Sequence, residues 1–152
     1  MLVFENIAEF KNYVGQDLGI SEWTIITQDM VNDFAKATGD HQWIHTNIEM
    51  ASKYSPFKTT IAHGFLTLSL APQFMYSLYQ IKTAKMGLNY GTNKVRFLNP
   101  VPTASRVRMK AKLTEVEDYA PNGLKIIVEG TFEIEGSAKP ACVAELISLV
   151  FE

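Results

Sequence analysis

The chain has 152 residues, of which 47% are hydrophobic and 20% are charged, and its formal net charge is −2. This balance is typical of a soluble globular protein, and we expect residues 1–152 to form one domain. The weak negative charge, without a long basic run, argues against nucleic acid or an anionic membrane as a partner. No run of about eighteen apolar residues occurs, so no membrane span is expected. The single cysteine, Cys142, cannot form an internal disulfide, which predicts a cytoplasmic location.

The first part of the chain predicts two helices with a strand between them. Residues 5–14 carry apolar side chains at helical spacing, and Gly15 provides a stop. Residues 21–26 have the composition of a short strand. Thr27 is the predicted N-cap of a second helix, which Gly39 should end.

Two further helices are predicted before the chain changes character. Asn47 is placed to cap a short helix over residues 48–54. From Gly64 to about Tyr79 nearly every position is apolar, which predicts a helix buried on all sides. Pro72 lies within this segment, so we expect a kink or a break near residues 68–72.

The second half of the chain has the period of two that is typical of β-strands. Apolar and charged residues alternate in three segments, and a mostly apolar fourth segment follows: residues 94–97, 106–113, 125–134 and 141–151. Alternation with one polar face indicates an antiparallel sheet. We therefore predict an α+β fold, in which a four-stranded meander, joined by the strand at 21–26, curves around the long buried helix.

An acidic residue and a histidine stand five positions apart just after the predicted end of the second helix. Asp40 and His45 belong to the segment Thr-Gly-Asp-His-Gln-Trp-Ile-His at 38–45, and Ile-Ala-His-Gly at 61–64 opens the apolar helix. A carboxylate and an imidazole can together accept and return a proton near neutral pH. The N–H of Gly64, at a helix start, can stabilise negative charge on a carbonyl oxygen. These residues predict proton-transfer chemistry on a carbonyl compound.

Structural interpretations of the same residues also stand. Asp40 could be a turn former, and His45 could be a hydrogen-bonded core histidine. We interpret His41 as a surface turn residue, and His63 as a helix-start residue whose ring makes a structural hydrogen bond. These acidic and histidine side chains match no known spacing of metal ligands, so we predict no metal and no cofactor.

The two motifs, together with Asn89-Tyr90-Gly91 and Val95-Arg96-Phe97, resemble those of the MaoC-like hydratases. These are (R)-specific enoyl-CoA hydratases of the hotdog fold, and the nodulation-protein-N-like group is the most similar. The resemblance extends from about Trp23 to the C-terminus. It implies a single hotdog domain, in which a curved antiparallel sheet wraps around a long buried helix.

The resemblance also implies roles for individual residues. Asp40 and His45 match the catalytic pair, and Gly64 matches the glycine whose N–H binds the thioester oxygen. We assign substrate binding to a further set: Gln42, His63, Ser69, Asn89, Tyr90 and Gly91. Gln42 stands where many members of the family carry asparagine, so the chain departs from the family pattern there.

These features predict (R)-specific hydration of a 2-enoyl-CoA to a (3R)-hydroxyacyl-CoA, or the reverse dehydration. CoA is then part of the substrate, and no separate cofactor is needed. The alternatives are a hotdog acyl-CoA thioesterase and a non-catalytic acyl-CoA-binding module. A small sheet leaves its edge strands unpaired. The fold that the chain resembles covers them by pairing two copies, which predicts a homodimer with sites near the interface.

Overall fold

Alternating apolar residues build most of the long strands of the computed structural model, which describes residues 1–152. The strands are β1 Leu2–Phe4, β2 Asp17–Ile20, β3 Thr24–Ile25, β4 Tyr79–Ile81, β5 Met86–Phe97, β6 Arg106–Tyr119, β7 Gly123–Ile134 and β8 Cys142–Phe151. The helices are α1 Ile7–Lys11, α2 Gln28–Thr38, α3 Trp43–Thr46, α4 Ile48–Tyr54, α5 Gly64–Ser69 and α6 Ala71–Leu78. None of these helices has both the length and the apolar character needed to cross a bilayer.

The predicted helix caps are confirmed. The Thr27 hydroxyl accepts a hydrogen bond from the Met30 N–H at 3.2 Å, and α2 begins there. Gly39 ends α2 with φ 80°, a left-handed conformation that glycine adopts without strain. The Asn47 side chain accepts from the Met50 N–H at 2.9 Å and starts α4.

Two predicted elements near the N-terminus are shorter than expected. The helix predicted over 5–14 is confined to α1. The strand predicted over 21–26 is reduced to β3, because Ser21 interrupts the regular ladder with β6. The Ser21 N–H donates to the Met109 carbonyl at 2.9 Å, but the Met109 N–H donates to the Ser21 hydroxyl rather than to a backbone oxygen.

The main sheet is antiparallel and has the strand order β2-β6-β7-β8-β5, with β3 also paired to β6. The prediction of a four-stranded meander is therefore wrong for β5, because this strand pairs with β8 and not with β6. The connection from β5 to β6 does not form a hairpin. It pairs instead with the segment before α5, where Val101 and Thr60 carbonyls accept from the Ala62 and Thr103 N–H groups at 2.8 and 2.9 Å.

Strand β5 is far longer than the predicted segment at 94–97. It has twelve residues and forms an edge of the sheet, with every side chain except Val95 exposed. Without one buried face, the period of two that would have revealed the strand is absent. A second, parallel pair, β1 with β4, also carries no such signal.

The long apolar helix is divided at Leu70 into α5 and α6, inside the interval predicted for a break. Pro72 lies in the first turn of α6, where a missing N–H costs no hydrogen bond. The expectation that the helix is buried on all sides is wrong. Phe65 is 66% exposed and Tyr76 is 77% exposed, because the sheet of one chain covers only one face of the pair.

The buried face of α5 and α6 follows a spacing of four: Leu66, Leu70, Phe74 and Leu78. It packs into a core of 28 buried residues that includes the inward side chains of β6 and β7. Phe74 lies against Phe132, with ring centroids 6.2 Å apart. Register shifts in β2, β5 and β6 increase the local twist of the sheet. The α+β class is confirmed.

Candidate active site

The acid and the histidine lie on either side of a helix start. Asp40 follows Gly39, the C-cap of α2, and His45 lies within the single turn of α3. An Asp40 carboxylate oxygen accepts from the Gln42 N–H at 3.4 Å. This contact holds the carboxylate near the start of α3.

The His45 ring is held by a backbone carbonyl. The side chain is 7% exposed, and its Nδ1 lies 2.7 Å from the Ile61 oxygen. A carbonyl oxygen can only accept, so Nδ1 carries the hydrogen of this contact. In the neutral ring, Nε2 is then a proton acceptor.

The Ile61 carbonyl is itself fixed from both sides. The Ile61 N–H donates to the Ile44 carbonyl at 3.0 Å, which ties the segment to α3. The next residue, Ala62, donates to the Val101 carbonyl at 2.8 Å. The oxygen that sets the His45 tautomer is thus part of a rigid backbone arrangement.

Three polar side chains form a hydrogen-bond network that ends at the His45 backbone carbonyl. Gln28 Nε2 donates to the His45 carbonyl at 2.8 Å, and Gln28 Oε1 accepts from the Thr60 hydroxyl at 2.5 Å. The Thr60 and Thr103 hydroxyls are 2.8 Å apart. This chain of hydrogen bonds links α2 to α3 and to the connection before β6.

His63 lies between the catalytic candidates and α2. Its ring stacks on His45, with centroids 3.8 Å apart and planes 25° apart, and it contacts Phe34 on α2. His63 Nε2 lies 3.0 Å from the Asp40 backbone carbonyl, to which it donates. The predicted structural hydrogen bond of His63 is therefore confirmed.

The carboxylate and the two imidazoles converge. Asp40, His45 and His63 each place an oxygen or nitrogen atom within 4.8 Å of the others. The Asp40 side chain is 54% exposed, whereas both rings are buried. The carboxylate therefore approaches the buried histidine pair from the solvent side.

Burial controls the protonation of His45. Loss of hydration lowers its pKa below the usual histidine value, and the neighbouring His63 acts in the same direction. The hydrogen bond to Ile61 and the negative charge of Asp40 oppose this lowering without cancelling it. His45 is thus a neutral imidazole at neutral pH.

A cavity of about 290 Å³ adjoins His45 and the start of α5. Most of its wall is apolar, and its polar side chains are His45, Thr67 and Asn99. The Gly64 N–H is the first of α5, so it has no acceptor within the helix, and it donates to no other protein group. A Cβ on residue 64 would lie 2.9 Å from the Phe97 ring, so any larger residue there would displace the ring.

The other residues assigned to substrate binding are divided between two places. Ser69, Asn89, Tyr90 and Gly91 line a separate cavity of about 390 Å³ between α5, α6 and β5. The Ser69 hydroxyl donates to the Phe65 carbonyl at 2.6 Å. Exposed Gln42 and buried His63 lie with Asp40 and His45, but neither lines the 290 Å³ cavity. Substrate binding by these six residues stays a prediction.

Three contributors to the site were given no role there in the sequence analysis: Gln28, Thr67 and Phe97. Thr67 offers a signal, since it is a polar residue three positions after Gly64 in an apolar helix. Phe97 belongs to the Val95-Arg96-Phe97 motif, but its contact with Gly64 depends on how β5 packs. Gln28 offers no signal, because its contacts depend on how α2 packs against the rest of the chain.

The family model described as MaoC like domain matches residues 9–131. The chain belongs to the MaoC-like dehydratase family. This protein is 52% identical over 147 residues to 3-hydroxyacyl-thioester dehydratase Z of Mycobacterium tuberculosis (strain ATCC 25618 / H37Rv). The aligned residues cover 97% of each chain. It is 44% identical over 146 residues to Nodulation protein N of Rhizobium leguminosarum bv. viciae, covering 95% and 91% of the two chains.

The fold of this MaoC-like protein also matches that of solved structures. The unliganded R-hydratase PhaJ1 of Pseudomonas aeruginosa superposes with a TM-score of 0.72 at 20% identity, covering 98% of this chain and 87% of that one. The predicted hotdog fold and the resemblance to the nodulation-protein-N-like group are confirmed. The chain is a hydro-lyase.

The hydrogen bonds of Gln28 with the His45 carbonyl and the Thr60 hydroxyl should contribute to the stability of the fold. Gln28→Leu should leave the His45 carbonyl without its side-chain donor and the Thr60 hydroxyl with Thr103 as its one remaining side-chain partner. An unsatisfied buried polar group costs about 1–3 kcal/mol. We expect the free energy of unfolding to fall by that amount in urea titrations of the variant.

The matched control is Asn32→Ala, which removes only the exposed contact of Gln28 with Asn32. That variant should stay within about 0.5 kcal/mol of the wild type. Equal stability of the Gln28→Leu variant and the wild type would show that this network does not hold the site together.

Proposed function

We propose that this protein adds water to a 2-enoyl-CoA to give a (3R)-hydroxyacyl-CoA, and that it catalyses the reverse dehydration. One observation carries the proposal: the Asp40 carboxylate and the His45 ring converge beside a mostly apolar cavity that Gly64 also lines. The relative named 3-hydroxyacyl-thioester dehydratase Z supports the same reaction and substrate class.

The proposed reaction begins with a water molecule held between Asp40 and His45. The Nδ1 hydrogen of His45 is committed to the Ile61 carbonyl, so Nε2 is free to accept a proton from this water. The water oxygen then bonds to C3 of the enoyl chain. The proton taken up by the Asp40–His45 pair is returned to C2, so the product gains one water and the enzyme ends as it began.

Electron density moves to the thioester oxygen when water attacks C3. The Gly64 N–H, which no protein group occupies, is the proposed donor to that oxygen. The absence of a Cβ at residue 64 lets the thioester approach the amide closely. The apolar wall formed by Ile61, Val101 and Ala141 is suited to the acyl chain.

We also propose that the reaction needs no metal ion and no separate cofactor. The rings of His45 and His63 are stacked and nearly parallel, so their in-plane lone pairs do not converge on one ion at the short distances that zinc requires. Each ring also directs one nitrogen to a backbone carbonyl.

The surface supports the proposals of no nucleic-acid partner and of a cytoplasmic location. Several exposed cations are paired with acids, as in Lys11–Asp118 and Lys82–Glu5, and the net charge of −2 gives no overall attraction to a polyanion. Cys142 is a free, buried thiol, and burial raises its pKa to about 11. It is suited to a structural role in a reducing compartment.

The thioesterase alternative is not favoured. Thioesterases of the hotdog fold usually place an acidic residue on the long helix, but α5 and α6 contain no aspartate or glutamate. Release of free thiol from a saturated acyl-CoA would indicate this activity. Tight binding of acyl-CoA without turnover of any chain length would indicate a binding module.

The central test is hydration of crotonyl-CoA and longer 2-enoyl-CoAs, followed by loss of the enone absorbance. Asp40→Asn keeps the shape of the side chain but removes its charge and its basicity. We expect its kcat to fall by roughly 10²- to 10⁴-fold, the usual contribution of one positioned proton transfer.

His41→Asn is the control for this test, because His41 is exposed on the same segment and its hydrogen bonds, to Gly39 and Thr46, are made by its backbone. It should hydrate crotonyl-CoA at nearly the wild-type rate. Equal rates for the wild type and the Asp40→Asn variant would refute the assignment.

The oxyanion donor is tested by Gly64→Ala. The new Cβ meets the half-exposed Phe97 ring, which can turn outward, so we expect a folded protein. The methyl group should keep the thioester from the amide and lower kcat on the order of 100-fold. Gly87→Ala is the control, because its Cβ would meet nothing closer than 4.0 Å. Full activity of the Gly64→Ala variant would remove this donor from the mechanism.

We propose that the protein is a homodimer joined through β5. This strand pairs only with β8 and exposes Met86, Leu88 and Tyr90 beside the exposed Phe65 and Tyr76 of the helices. A long, bare edge with apolar side chains favours association unless a partner covers it. A second copy, paired edge to edge, covers both edges at once.

Light scattering during gel filtration should give twice the mass of one chain. Leu88→Lys, which places a charge on the edge, should shift the protein toward the monomer. A stable and fully active wild-type monomer would contradict the proposal.

A further inference from the structure

The Thr67 hydroxyl is a buried polar group without a hydrogen-bond partner. The residue is 2% exposed, and its Oγ1 contacts no donor or acceptor of the protein. Only one other buried side-chain atom, His63 Nδ1, is in the same condition, and His63 does not line the 290 Å³ cavity. Because the great majority of buried polar atoms are paired, Thr67 calls for an explanation.

The Thr67 hydroxyl does not form the hydrogen bond that is common for threonine within a helix. A serine or threonine in a helix can donate to the carbonyl four residues earlier. Ser69, two positions further along α5, does this with Phe65. The corresponding carbonyl for Thr67 belongs to His63, and it accepts only the Thr67 N–H, at 3.2 Å. The Thr67 side chain is therefore free to present its hydroxyl to the cavity that it lines.

The position of Thr67 relates it directly to Gly64. Residues three apart on a helix share a face, and Thr67 and Gly64 both line the cavity. Much of the surrounding wall is apolar, including Ile61, Ala62 and Val101. Valine has the same shape as threonine and would suit such surroundings better, because it buries no unpaired hydroxyl.

We propose that the Thr67 hydroxyl is a second donor to the thioester oxygen of the substrate, acting beside the Gly64 N–H. This inference rests on the proposed hydratase function. A carbonyl oxygen has two lone pairs, and negative charge on it grows as water attacks C3. The hydroxyl contacts the oxygen that carries this charge, so it stabilises the transition state more than the bound substrate.

The experiment compares Thr67→Val with Thr67→Ser in the full chain, using crotonyl-CoA. Thr67→Val removes the hydroxyl and keeps the shape, so kcat should fall on the order of 100-fold with a smaller change in KM. Its unfolding temperature should equal or exceed that of the wild type, because an unpaired buried polar group is removed. Thr67→Ser keeps the hydroxyl and should retain most of the activity.

A spectroscopic readout separates this role from packing. Acetoacetyl-CoA can bind as an enolate, whose ultraviolet absorbance reports negative charge on the thioester side of the molecule. If two donors face that oxygen, the wild type should increase the enolate fraction of bound acetoacetyl-CoA, and Thr67→Val should lose most of this increase. A residue that only fills space would leave the spectrum unchanged.

Three results would overturn the inference. They are wild-type kcat in Thr67→Val, equal losses in Thr67→Val and Thr67→Ser, and an unchanged enolate spectrum in Thr67→Val. If Thr67→Val does not fold, Thr67→Ala removes the hydroxyl in the same comparison. A wild type that hydrates no enoyl thioester would instead refute the proposed function itself, and the inference with it.

Discussion

The chemistry of this site depends on one hydrogen bond, from His45 Nδ1 to the Ile61 carbonyl. It decides which nitrogen of the ring carries the hydrogen and therefore which nitrogen can accept a proton from water. Backbone pairing with Ile44 and Val101 holds the carbonyl segment in place, and Gln28 holds the other end of His45. The reactive nitrogen is thus oriented by groups that take no part in the reaction.

The polar groups that the protein leaves unsatisfied are concentrated at the same place. The Gly64 N–H has no acceptor within the protein, and the Thr67 hydroxyl and His63 Nδ1 have no partner. The buried serine and threonine side chains elsewhere, such as Ser21 and Ser55, form hydrogen bonds. Unpaired polar groups beside a cavity lower the stability of the fold, and a substrate with a polar thioester and an apolar chain would pair them.

The local features of this fold could be predicted from the sequence, but its long-range pairings could not. The caps at Thr27, Gly39 and Asn47 depend only on neighbouring residues, and the spacing of Asp40, His45 and Gly64 carries the family motif. The pairing of β5 with β8 depends on the tertiary fold, because the connection that follows β5 pairs with the segment before α5 and not with β6. The Ile61 carbonyl could not be recognised either, because every residue has such a group and only the tertiary fold selects one.

The most direct test is the protonation of His45, measured by nitrogen-15 NMR with a His45→Gln variant for assignment. We expect hydrogen on Nδ1 and none on Nε2 at neutral pH. Because burial lowers the pKa, the ring should protonate at a lower pH than an ordinary histidine. A ring with hydrogen on Nε2 at neutral pH, or one already charged there, would contradict the account.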